Sequence, residues 1–210
     1  MPGVPGVDTT WTVLSTALVA YALGSFPTAY LVGRLARGID LREAGEGNVG
    51  ARNTFHEVGP WWGVAVTVVD MGKGAAVALL YGGSPLWRLA VGAAFVVIGH
   101  AYPIWLRFVG GKGVASAGGL AVALFPWSGL VAAGASGIAW LLTRRFLPTL
   151  VTMAVLIFAC APLFGYEWPV ILVALGAFVL VALKRVVDEP RMRRIEAATG
   201  WDRVHGGTRT

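Results

Sequence analysis

The sequence has almost no thiol chemistry available to it: its one cysteine, Cys160, sits in an apolar segment, which excludes a disulfide framework and any cysteine-based metal site. Charge is nearly as scarce. Only 13% of the residues are charged and 11 are acidic, against 56% hydrophobic residues and a mean hydropathy of +0.69, a balance outside that of soluble domains. No basic residue falls between Met1 and Thr10, and the uncharged run that follows, Trp11 to Val32, is longer than a signal-peptide core. It reads as a retained helix rather than a cleaved leader. Convincing repeats are absent too, since Gly72-Lys73-Gly74 and Gly111-Lys112-Gly113 match over too short a stretch to exceed chance.

What the chain does have is apolar length. A hydrocarbon core about 30 Å thick asks for about 20 apolar residues per helix, and such stretches run from Trp11 to Val32, Trp61 to Tyr81, Leu89 to Leu106, Val114 to Leu142, Leu147 to Tyr166 and Trp168 to Leu183. The fourth holds 29 uncharged residues, long for one span and short for two, with Pro126 and Trp127 near its middle. A turn there gives seven spans; no turn gives six.

The basic residues favour seven. Lys and Arg in short loops mark the cytoplasmic side, and a seven-span count gathers fifteen of the 17 there, leaving Arg88 outside and Lys73 within the second span. Six spans would set Arg144 and Arg145 against the rest. The expectation is an all-α, polytopic membrane protein of seven transmembrane helices, N-terminus outside and C-terminus cytoplasmic. One membrane-embedded domain covers 1–210, with 1–10 as an external tail and 185–210 as a cytoplasmic basic tail. The net charge of +6 then sits in short loops rather than on a polar domain, which points to membrane lipids and phosphorylated ligands and away from nucleic acid.

Four features could carry chemistry. Gly110-Gly111-Lys112-Gly113-Val114 opens the fourth span; converging backbone N–H groups, a helix N-terminus and a lysine compose a phosphate cradle, while a flexible turn with an interface lysine is the plainer alternative. The 26 residues from Arg34 to Gly59 are long for a connection between adjacent helices, and Gly45, Gly47 and Gly50 alternate there with Glu46, Asn48, Arg52 and Asn53. Asp70 and Lys73, three apart inside a span, can pair as a functional site or as a packing lock. His100, before Pro103, is either a proton shuttle or a packing histidine.

These segments together resemble one family, the bacterial acyl-phosphate-dependent glycerol-3-phosphate acyltransferases. The matches are Gly24-Ser25-Phe26-Pro27 with Tyr30, Gly47-Asn48-Val49-Gly50-Ala51 with Asn53, Asp70 with Lys73-Gly74, Gly99-His100 with Pro103, and Gly110-Gly111-Lys112-Gly113-Val114-Ala115. The resemblance implies transfer of a fatty acyl group from acyl phosphate to the first hydroxyl of glycerol 3-phosphate or a related small phosphorylated acceptor. It also implies a bacterial inner-membrane location, and neither a metal nor another cofactor. Glu46, Asn48, Arg52 and Asp188 fall at its catalytic positions. Gly110, Gly111, Lys112, Gly113, Asn53, His56, Arg191, Ser25 and His100 fall at its substrate-binding positions.

The chain also departs from the family, which usually has serine at Glu46, threonine at Arg52 and arginine at His56. A histidine-arginine-x-asparagine motif usually stands where this chain has Asp188-Glu189-Pro190-Arg191, and a serine near Pro148 or Thr149. Two readings therefore accompany the enzyme: a catalytically impaired or acceptor-altered paralogue that binds lipid or phosphate, and a small-solute transporter lined by Asp70, Lys73 and His100. Opposite charges at 46 and 52 lead to one structural expectation, that Arg52 pairs with Glu46.

Overall fold

The computed structural model describes residues 7–201, with side chains from Thr9 onward; most of the expected external tail and residues 202–210 of the expected basic tail lie outside it. Regular structure among the described residues is helical: α1 Val7–Ser25, α2 Thr28–Arg37, α3 Ala51–Glu57, α4 Pro60–Tyr81, α5 Leu86–Ala101, α6 Val114–Leu124, α7 Pro126–Thr143, α8 Phe146–Cys160 and α9 Trp168–Thr199. Five helical stretches among the described residues are long and apolar enough to cross a membrane: Thr9–Arg37, Pro60–Tyr81, Leu86–Leu106, Phe146–Phe164 and Trp168–Thr199. Large apolar side chains point outward along them. Leu35, Leu79 and Leu163 are 82–85% exposed, which suits lipid and not water. The chain is a multi-pass membrane protein.

Three boundaries differ from the sequence-based expectation. The first span is broken: Pro27, which lacks an N–H, separates α1 from α2, and α2 continues past Val32 to a left-handed cap at Gly38, φ 70°. The last helix does not stop at Leu183 but runs through Pro190 to Thr199, so much of the expected basic tail is helix. The supposed long loop contains α3 as well as the end of α2. The apolar run Val114 to Leu142 forms two helices, α6 and α7, with Pro126 in the first turn of α7, the position where a missing N–H is least costly.

Small residues set the helix spacing. A methyl group at Gly24 or Gly99 would collide with backbone across the α1–α5 interface, and one at Gly74 or Gly119 would do so between α4 and α6. Such close approach is how membrane helices gain packing without a hydrophobic driving force. Val77, Leu89, Val96, Val97 and Leu120 fill the main core, Phe125, Ile157 and Ile171 a second. Leu41, Val49, Val66 and Leu106 form a third, under the 38–50 connection.

The break at Pro27 carries its own brace. Lys73 on α4 donates from Nζ to the Phe26 carbonyl at 2.6 Å and lies 2.6 Å from Asp70 Oδ1. Both side chains are buried. Their geometry serves the packing of the broken helix: the Phe26 carbonyl at the turn accepts from Lys73 as well as from the Thr28 N–H at 3.0 Å, a second donor from a neighbouring helix where water is absent.

Candidate active site at one end of the bundle

The connection from Gly38 to Gly50 is shaped by two polar side chains. Asp40 accepts from Arg42 at 2.6 Å and Arg34 at 3.0 Å; chiefly the Arg42 hydrogen bond holds its carboxyl below the usual value near 3.8. Asn53, fully buried on α3, fans its amide nitrogen across the carbonyls of Leu41, Ala44 and Asn48 at 3.1, 2.9 and 3.0 Å. Its Oδ1 accepts from the Glu46 N–H at 3.1 Å. Asn53 is thus committed to loop shape and has no face left for a ligand.

Glu46 is fixed at its backbone and aimed inward, 2% exposed. Arg52 donates to its Oε2 at 3.0 Å, Lys112 approaches the same oxygen at 4.0 Å, and the Asn48 amide reaches Oε1 at 3.4 Å. The Arg52 guanidinium lies over Phe146 and Trp201, 5.7 and 5.8 Å from the ring centroids. The expected Glu46–Arg52 pair is present, and it extends to Lys112. Burial pushes the Lys112 ammonium below its ordinary 10.5, with Glu46 acting in the opposite sense. Desolvation disfavours the charged amine and the carboxylate only partly offsets this.

The glycines beside Lys112 act differently from the expected cradle. Gly110 and Gly111 donate their N–H groups to the carbonyls of Ala101 and His100, at 3.1 and 3.2 Å, so both are committed to closing the end of α5. Gly113, φ 84°, turns the chain into α6. An anion here meets Lys112 and the first turn of α6, not a nest of free glycine amides. His100 and Ser25 belong to a neighbouring small cavity of about 10 Å³, room for about one water, which Asp70, Lys73, Val49, Gly110 and Gly111 also line. There His100 Nδ1 is 3.3 Å from Ser116 Oγ, and Ser25 Oγ accepts from Trp105 at 3.2 Å.

The long final helix closes the site from the other side. Asp188 pairs with Lys184 at 2.8 Å, a buried i,i+4 pair legible from spacing, and stands 3.9 Å from Arg191. Arg191 donates to the Gly47 carbonyl at 3.0 Å, Thr199 to the Gly45 carbonyl at 2.8 Å, and Gly47 leans on Ile195. The structure therefore brings Glu46, Asn48, Arg52, Asn53 and Lys112 into one cluster, with Asp188 and Arg191 joined to it through Gly47. His56 is exposed on α3 at the edge of the cluster, its ring edge-on at 5.1 Å to the same Trp201 that lies against Arg52.

The family described as Glycerol-3-phosphate acyltransferase matches residues 14–193. The chain belongs to the glycerol-3-phosphate acyltransferase family. Glycerol-3-phosphate acyltransferase 4 of Dehalococcoides mccartyi is 35% identical over 84% of this chain and 96% of its own length. Glycerol-3-phosphate acyltransferase 5 of the same organism is 42% identical over 63% of this chain, a match that spans 57% of that relative. Among solved structures, integral membrane PlsY in its glycerol 3-phosphate form aligns with a TM-score of 0.73 and 31% identity, over 90% of this chain and 93% of that one. A second structure, its lysophosphatidic acid form, aligns at 0.67.

In this member of the glycerol-3-phosphate acyltransferase family, the residues missed from sequence are those that hold the charged groups. Trp201 and Phe146 flank Arg52 from distant segments, with no local signal to link them. Lys184 pairs with Asp188 at helical spacing and could have been found.

Proposed function

We propose that this chain transfers a fatty acyl group from acyl phosphate to the sn-1 hydroxyl of glycerol 3-phosphate, giving lysophosphatidate. One observation carries the reading: two cationic side chains, Arg52 and Lys112, converge at 3.0 and 4.0 Å on a single buried anion, the Glu46 carboxylate. A site that holds one oxyanion there is built to hold another. The hydroxyl oxygen attacks the acyl carbonyl carbon, the bond from that carbon to the phosphate oxygen breaks, and phosphate leaves with the electron pair and the hydroxyl proton. Since acyl phosphate is already activated, positioning and oxyanion stabilisation by Lys112 and Arg52 account for the acceleration.

An apolar groove of about 320 Å³, lined by Phe26, Leu31, Val32, Leu35 and Trp62, shares Phe26 and Thr28 with the polar cavity. That continuity supports a donor with its chain among the helices and its head at the polar end. In this reading the chain crosses a bacterial inner membrane seven times, with the cluster on the cytoplasmic face. The sidedness of basic residues supports that orientation. A cysteine at position 9 should label from outside and one at position 37 should not; the reverse pattern would refute it.

The Glu46 carboxylate also favours a second reading, an altered acceptor. Purified protein in lipid, given palmitoyl phosphate and a panel of polyol phosphates and neutral polyols, separates the two. Turnover with glycerol 3-phosphate supports the first; turnover with neutral polyols alone supports the second; solute flux without acyl transfer would leave neither.

A further inference from the structure

The carboxylate that marks the anion position is covalently part of the chain. Glu46 is 2% exposed, and its backbone has little freedom to withdraw. The N–H is bonded to Asn53, Gly47 is pressed against Ile195 and its carbonyl is tied to Arg191, while the Gly45 carbonyl is tied to Thr199. Only the side chain can move, by changing rotamer. Both cations that face it, Arg52 from α3 and Lys112 from the α5–α6 connection, have Oε2 as their shared partner.

The local charge makes the consequence clear. Arg52, Lys112 and Arg185 are opposed by Glu46 and Glu196, the groups whose fields act on Lys112. With Glu46 seated, these five leave one net positive charge; with it gone or neutral, two. A phosphate dianion entering the cluster must therefore overcome a competitor that is permanently tethered and already desolvated. An intramolecular competitor acts at high effective concentration, and the apparent affinity of a ligand falls by the fraction of chains in which the site is open.

We propose that Glu46 is a tethered anion that fills the phosphate position of the resting protein and sets the affinity with which phosphate-bearing ligands enter. This rests on the anion site of the proposed function and adds a specificity-determining residue to it. Selectivity follows from charge. A dianionic phosphate can displace one carboxylate from two cations, whereas a monoanion gains nothing by the exchange. The open arrangement retains the cluster, because Arg52 keeps its stacking on Phe146 and Trp201 and Asn53 keeps the loop.

The test compares parent, Glu46→Gln and Glu46→Asp in lipid nanodiscs, titrated with inorganic phosphate by calorimetry and assayed for the KM of glycerol 3-phosphate. Gln keeps the size and the contact with Asn48 but loses the charge; Asp keeps the charge on a shorter reach. Glu46→Gln should bind phosphate at least tenfold more tightly than the parent, with Glu46→Asp between them, and KM should follow the same order. Acetate should bind neither the parent nor Glu46→Asp measurably, since each keeps its own carboxylate in place. Equal or weaker phosphate binding by a folded Glu46→Gln would overturn the proposal while leaving the anion site standing. If Glu46→Gln does not fold, Glu46→Asp decides alone, and binding no tighter than the parent's overturns it. Absence of phosphate binding by all three proteins would instead remove the anion site itself, and the tethered-anion proposal with it.

Discussion

Lys73 bridges two helices: its ammonium donates to the Phe26 carbonyl at 2.6 Å and lies 2.6 Å from Asp70. The carbonyl belongs to the turn that breaks the first span at Pro27. Removing the lysine strands a buried carboxylate and takes one of two donors from the Phe26 carbonyl, which keeps only the Thr28 N–H at 3.0 Å. Lys73→Met should lower stability by about 3–5 kcal/mol, and the double change Lys73→Met with Asp70→Leu should be milder than either single. Thermal unfolding in detergent checks this; a single Lys73→Met with an unchanged Tm would show that the pair is not buried as described.

Arg52 and Glu46 form a coupled pair and not two separate substitutions. Arg52→Thr leaves Glu46 with Lys112 at 4.0 Å as its cationic partner and facing an anionic substrate, so it should be the least active variant. Glu46→Ser together with Arg52→Thr should recover part of the loss. The interaction energy across that cycle should be about 1–3 kcal/mol, less than for a fully buried pair because Arg52 is 30% exposed. Additive effects on acyl-phosphate consumption would contradict the coupling.

Lys112 gives the site an alkaline limit. Burial holds its pKa below 10.5, so as pH rises the folded protein loses this proton before an unfolded chain does. Anion binding needs the ammonium and should fall away at a pH below 10.5. Over that same window the unfolded state carries more protons, and this residue's contribution to stability increases with pH. Lys112→Arg should move the limit upward yet bind less well, since a planar fork replaces a point charge. Lys112→Ala should lose about 1.5–3 kcal/mol of phosphate binding. A pH series of phosphate titrations on the three proteins reads all of these.

The groove beside Phe26 should set chain length. Val32→Trp fills part of the space lined by Leu31, Leu35 and Trp62. Losing burial of even two methylenes, about 0.8 kcal/mol each, raises KM for palmitoyl phosphate roughly tenfold. Butyryl phosphate should be unaffected. Equal effects on both donors would mean that the chain lies elsewhere.

Much of this architecture was legible in the sequence because membrane helices announce themselves locally. Apolar length located the helices, Pro126 the division between α6 and α7, and the spacing of Asp70 and Lys73 their pairing. The break at Pro27 was overlooked because hydropathy continues through it and does not register a missing N–H. The extension of α9 to Thr199 was missed because it is held by distant contacts to Gly45 and Gly47. The same limit applied at the site. Opposite charges at 46 and 52 suggested their contact, but the role of Asn53 as a loop brace and the commitment of the Gly110 and Gly111 amides depend on where remote carbonyls lie. No pattern along the chain encodes that.

The most direct measurement is product analysis from purified protein in lipid, supplied with palmitoyl phosphate and glycerol 3-phosphate and run beside Lys112→Ala. The account predicts one lysophosphatidate formed per inorganic phosphate released above the rate without glycerol 3-phosphate. It also predicts a rate for Lys112→Ala lower by at least tenfold at subsaturating substrate. Phosphate release without an acylated product, or equal rates for parent and Lys112→Ala, would contradict it.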